Sequence, residues 1–149
     1  MREWVARDMV VRGEHFAAAA ILLKRHGGHG YVWRHNFCQA VELVMKGLLL
    51  LRNFDGEWPR MRKYGHRLVL LADAVAAAYN FRAPTGQLRA ELEGLDSLYG
   101  AHLLRYASGL GALVNPDTIP YERVMIRLVA VQRLSRRKVS KSGLGLAAT

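Results

Sequence analysis

The residue types best suited to chemistry without a cofactor are His66 and the two arginines before it, Arg60 and Arg62. An imidazole titrates near neutrality and can move a proton, and a guanidinium can steady a pentavalent phosphorus centre. Together they suffice for metal-independent cleavage of an RNA phosphodiester, provided that they meet. His66 equally suits a structural role, capping and packing the helix that follows it. His102 and Arg105 share one helix face at i, i+3 and offer the same chemistry if a symmetry mate completes the site. His26, His29 and His35 cluster around a turn with no carboxylate or cysteine at ligand spacing, so they read as solvated histidines and no metal is expected. Cys38 is the only cysteine, which excludes an intrachain disulfide and a four-thiolate zinc site; a small apolar residue buried in a helix, in a reducing cytoplasm, is the expectation. No phosphate-cradling glycine motif, paired-carboxylate helix or activated serine is visible, and no cofactor is expected.

Charge points to a partner class more clearly than any of these groups. The formal net charge is +10, and no acid follows Glu122, whereas Arg123, Arg127, Arg133, Arg136, Arg137, Lys138 and Lys141 all do. A localised cationic end attracts polyanions through its long-range field and through counterion release, so the first six of these are the candidate nucleic-acid-binding residues. A charge run of this kind also serves solubility alone. Trp58, in a charged loop beside Arg60, Arg62 and Lys63, could stack on a base with cation support.

These groups have to be positioned by helices, because the 149 residues, 51% of them hydrophobic, show helical periodicity and no alternating strand pattern. The Ala- and Leu-rich stretch from about Trp4 to Lys24 predicts a first helix, ended by Gly27, Gly28 and Gly30. A second, from about Val32 to Arg52, is apolar on most sides and so is central or lies in a subunit interface. Its narrow polar strip is Gln39, Glu42 and Lys46, the last two spaced as a surface i, i+4 ion pair. Gly56 and Pro59 make residues 53–65 a loop. A third helix should run from about His66 to Tyr79, and a fourth from about Gly86 to Ala107 behind Thr85 as N-cap. A fifth, from about Ile119 to Arg137, presents apolar and cationic sides. One domain over residues 1–138 and a flexible tail over 139–149 complete the reading. The first apolar run is too short and too late for an export signal, and none is long enough to span a bilayer, so a soluble cytoplasmic protein is expected.

Several strings, in order, narrow the class of bundle. Gln39-Ala40-Val41-Glu42, followed by Lys46 and leucines, resembles the core pattern of the HEPN family of nucleotide- and RNA-associated helical domains. His66-Arg67-Leu68 is similar to the family's His-x-Leu opening of the third helix, and Arg105-Tyr106 to its Arg-Tyr near the end of the fourth. The chain departs from the family at Leu43, where a lysine usually follows the glutamate, and at Ala107, where a proline is frequent. The ribonuclease signature of catalytic members, Arg then His after four to six intervening residues, is matched in spacing only by Arg60 to His66, with Arg62 closer and Met61 where a polar residue is usual. The expected fold is an all-α antiparallel up-and-down bundle of about five helices, HEPN-like, associating as a homodimer through the apolar second helix or the fourth. The resemblance implies a nucleotide- or RNA-binding module, and the weak match to the ribonuclease signature makes it a non-catalytic one. Such modules act beside a small nucleotidyltransferase or within a toxin–antitoxin pair. Metal-independent endoribonuclease and plain protein–protein interaction module are the alternatives.

Overall fold

The computed structural model describes residues 1–101 and 115–143, with Pro116 and the last six of these described by backbone alone. Its elements are α1 (Arg2–Arg25), α2 (Gly30–Arg52), α3 (Phe54–Glu57), a 3-10 turn (Trp58–Arg60), α4 (Met61–Tyr64), α5 (Leu68–Tyr79), α6 (Gly86–Gly100), a second 3-10 turn (Pro116–Thr118) and α7 (Glu122–Gly143). Among the described residues there is no strand, and no helix is long and apolar enough to cross a membrane. His102, Arg105, Tyr106 and the predicted end of the fourth helix lie outside the described residues, as does the chain from Leu144 onward.

Local chemistry explains most helix ends. After α1, Gly27 adopts a φ of +72° and donates to the Lys24 carbonyl, while the Gly28 N–H donates to Leu23 O at 2.7 Å. This is the paired-bond stop that a left-handed glycine permits. His29 then accepts from the Tyr31 N–H and opens α2, so one of the turn histidines is a helix cap. Asn80 plays the glycine's part after α5, with a φ of +55° and the Phe81 N–H on Ala76 O at 2.8 Å.

Helices α1 and α2 form an antiparallel hairpin in close backbone contact. An added Cβ on Gly47 would meet Val10 Cγ2 at 2.6 Å and Ala6 O at 2.9 Å, and one on Gly13 would meet Val44 Cγ2 at 2.7 Å. Helix α6 runs against α5, because Asp96 reaches Leu68 while Arg89 reaches Asp73. Helix α7 runs against α1: Lys24 bonds the Tyr121 hydroxyl near one end, and Arg136 bonds Glu14 farther along.

Alternation of direction fails at one place. Glu42 contacts His66 just before α5, whereas Leu48 O and Arg52 contact Tyr79 and Ala78 at its far end, so α5 runs the same way as α2. The cause lies in residues 53–65, which are not the plain loop that Gly56 and Pro59 suggested. Asn53 accepts from the Gly56 N–H to start α3, and α3, the 3-10 turn and α4 carry the chain back along α2 before α5 begins. The return spans roughly ten residues of helix, about 15 Å.

Helix α2 is central. Phe37, Cys38, Val41, Val44, Leu48 and Leu49 are wholly buried and pack with Leu68, Leu71, Leu92, Leu95 and Leu128. Its unusual apolarity is therefore satisfied within the chain, which removes the reason to expect a subunit interface on it. The large exposed apolar side chains sit instead mainly on α1 (Trp4, Val11, Ile21, Leu22) and α7 (Ile126, Val129). Burial also pushes the Cys38 thiol well above its ordinary range, which makes it inert packing.

The start of α7 is clamped by a group that sequence reading passed over. Arg34 is 2% exposed, lies 4.0 Å from the centre of the Trp33 ring and donates to Ile119 O at 3.0 Å. At its other end α7 is helical through Gly143, five residues past Lys138. Ser140 and Lys141 have adequate helix propensity, and the first glycine comes at 143.

Candidate functional site

Two polar constellations emerge, one buried and one open. The buried one gathers the family-like strings. Glu42 and Lys46, expected as a surface ion pair, are 4% and 9% exposed, because α5 and α6 close over that strip of α2. Both oxygens of Glu42 are engaged: Oε1 accepts from Lys46 Nζ at 2.6 Å, and Oε2 contacts His66 Nδ1 at 2.9 Å and accepts from the Tyr99 hydroxyl at 2.5 Å. An ionised carboxylate can only accept, so His66 carries its proton on Nδ1 in this contact. Tyr99 also reaches Gln39 Oε1 at 3.0 Å. The cluster therefore bolts α2 to the start of α5 and to α6.

His66 does not cap α5, as its place in the sequence suggested. The helix begins at Leu68, and Asp96 of α6 accepts the Leu68 N–H at 2.5 Å. A carboxylate there answers both an orphan donor and the positive end of the helix dipole. Glu91, five residues earlier on α6, does the same for α7, accepting from the Arg123 N–H at 2.8 Å and the Val124 N–H at 3.4 Å.

The two acids of this region respond oppositely to pH. Burial pulls the Glu42 pKa up, but hydrogen bonds from Lys46, Tyr99 and His66 outweigh it and hold the carboxyl below its usual range. Its contribution is thus present above the unfolded-state pKa, about 4.3, and is lost as pH falls through the lower folded value. Burial raises the Asp96 pKa despite bonds from Leu68 and Val69, so its protonation on mild acidification favours the folded state. Unfolding free energy, measured by urea titration across pH 7 to 3, should rise slightly before it falls. Asp96→Asn keeps an acceptor for Leu68 and should abolish the rise while leaving the fall. An unchanged curve would show that Asp96 is not perturbed.

The contacts do not bring the sequence-derived catalytic residues together. Arg60 is 3.3 Å from Glu57, whose other oxygen accepts from the Tyr64 hydroxyl at 2.8 Å; Arg62 is exposed; and His66, its side chain 46% exposed, is on Glu42. Trp58 is half exposed and stacked on Phe54, with ring centres 5.2 Å apart. Among the described residues no group of three or more His, Cys, Asp or Glu is placed to hold a metal ion.

The open constellation lies on α7, and it divides the six predicted cations. Arg123 is 3.5 Å from Glu91 and Arg136 is 3.0 Å from Glu14, so these two are compensated by acids of α6 and α1 rather than left for a partner. Arg127, Arg133 and Arg137 instead line an open groove of about 330 Å³, with Val131, Leu134 and Phe81 as its apolar floor. Arg127 is held in place, donating to Arg82 O at 2.9 Å with its guanidinium carbon 5.5 Å from the Phe81 ring centre. Lys138 follows on the same helix, its side chain outside the described residues. Phe81 was missed by sequence reading, because it lies in the α5–α6 connection, distant in sequence from α7.

No family model, curated protein or solved structure matches this chain. The groove has to be read from its own geometry.

Proposed function

We propose that this chain is a nucleotide- or RNA-binding helical module and that the α7 groove is its binding surface. One observation carries the reading: Arg127, Arg133 and Arg137 converge on an open, apolar-floored groove, and the last two have no acidic partner among the described residues. Cations left uncompensated in a concave site suit phosphate, and each contact neutralised there releases counterions. The likeness of Gln39 to Lys46 and of His66 to Leu68 to HEPN strings supports the same ligand class. Anisotropy titration of a labelled single-stranded oligoribonucleotide at several salt concentrations tests it. Wild-type affinity should fall steeply with salt, and Arg133→Ala and Arg137→Ala should each weaken binding and lower the log–log salt slope by about 1. Binding that is absent at low salt, or unchanged in both variants, would sink the proposal.

A second reading, metal-independent endoribonuclease, draws on a single contact, in which Glu42 orients a half-exposed His66. Incubation of RNA with the protein in chelator decides it: cleavage should vanish with His66→Ala, and cleavage by that variant at the wild-type rate would eliminate the reading.

A further inference from the structure

We infer that the α7 groove is a receptor for one unpaired nucleobase, so that the module selects single-stranded over double-stranded RNA. This rests on the binding reading above and adds the part of the ligand that enters.

Size comes first. A space of about 330 Å³ is near the lower end of small-ligand sites and matches one nucleotide rather than several. Only the backbone and groove edges of a duplex would reach it, because the faces of its bases are already stacked.

The floor is the second observation. Phosphate recognition alone would need no apolar side chains, yet Phe81, Val131 and Leu134 line the groove together with the arginines. A nucleobase has two apolar faces and polar edges, and it gains most against such a wall.

Arg127 supplies the third. Its guanidinium donates to the Arg82 carbonyl at 2.9 Å and lies 5.5 Å from the Phe81 ring centre, so part of its freedom is given up before any ligand arrives. A planar cation held in this way stacks on a base with little further loss of side-chain freedom. Arg133 and Arg137, one turn apart at about 6 Å along the axis, are left to meet the adjoining phosphates. The groove thus separates the two chemistries of a nucleotide, base toward Phe81 and Arg127, phosphate toward Arg133 and Arg137.

The test uses the full chain and three labelled RNAs of one length: a single strand, the same strand with abasic positions, and its duplex. Charge is equal in the two single strands, so only the base differs. The intact strand should bind roughly 10-fold more tightly than the abasic one, about the size of one base–aromatic stack, and the duplex should bind no better than the abasic strand. Phe81→Ala should bring the intact and abasic strands together while both stay salt-sensitive, and Phe81→Tyr should restore the gap. Adenosine monophosphate as competitor distinguishes the sources. Displacement of the labelled strand assigns the site to a free nucleotide as well, and failure to displace it, with the abasic discrimination intact, assigns it to the strand. If intact and abasic strands bind alike with steep salt dependence, the base receptor is overturned and the polyanion reading survives. If no RNA binds at low salt, the polyanion reading itself fails. The comparison of RNAs is made on the wild-type protein, so it stands even if Phe81→Ala does not fold.

Discussion

Glu42→Ala should cost about 3–5 kcal/mol of folding stability, the largest single loss expected for a polar residue here. The reason is what it leaves behind. Lys46, 9% exposed, would remain as a buried ammonium with its 2.6 Å partner gone, and the Tyr99 hydroxyl and His66 Nδ1 would lose the same acceptor. Total stabilities of domains this size run to roughly 5–15 kcal/mol, so the variant should sit near the edge of folding. Replacing both partners, Glu42→Leu with Lys46→Leu, should recover most of the loss, because a buried ion pair repays little more than its own desolvation. Urea denaturation followed by circular dichroism measures both. A loss below about 1 kcal/mol for Glu42→Ala would mean that water reaches the cluster and that α5 and α6 do not close over it.

The second large effect concerns two glycines. Gly47→Ala and Gly13→Ala should each cost about 2 kcal/mol, although alanine is the better helix former by about 1 kcal/mol. Steric overlap decides the sign. A methyl group on Gly47 would lie 2.9 Å from the Ala6 carbonyl oxygen, and one on Gly13 would lie 3.0 Å from Val44 N and 3.1 Å from Ala40 O, so backbone must move and not only side chains. Forcing carbon into a packed interface costs roughly 1–3 kcal/mol or more, which exceeds the propensity gain. The double variant should lose less than the sum, because moving α1 away from α2 relieves both overlaps at once. Gly94→Ala on α6 is the control with opposite sign: nothing lies within 4 Å of its added Cβ, so it should stabilise the protein by up to about 1 kcal/mol. If all three glycines gained stability alike, the close approach of α1 and α2 would be wrong.

Much of the framework was legible because it depends on neighbours in sequence. The apolar periodicity of α1, α2, α6 and α7, the glycine stop at 27 and 28, and the break before Gly86 all report on residues within a turn or two of each other, and each of these helices begins within a few residues of its expected start. The segment 53–65 was misread because Gly56 and Pro59 are compatible with short helical turns as well as with an open loop. A proline at the second position of a 3-10 turn costs no hydrogen bond.

The α7 groove was half legible. The cationic surplus after Glu122 is a property of composition, but its division was not: Glu14 and Glu91 reach Arg136 and Arg123 from helices distant in sequence, and Phe81 arrives from the α5–α6 connection. The same holds for the tertiary caps. Nothing local marks Asp96 and Glu91 as the acceptors that start α5 and α7, since their partners lie 28 and 32 residues away.

By itself, then, the sequence determined that this chain would be helical, where most helices begin and end, and that positive charge would gather at its carboxyl-terminal end. These follow from short-range sterics, hydrophobic period and composition. Only the tertiary structure decided that Glu42 and Lys46 are interior, that α5 runs parallel to α2, and which arginines are left facing an open groove. Each of those depends on which distant surfaces exclude water together, and a one-dimensional pattern does not record that pairing.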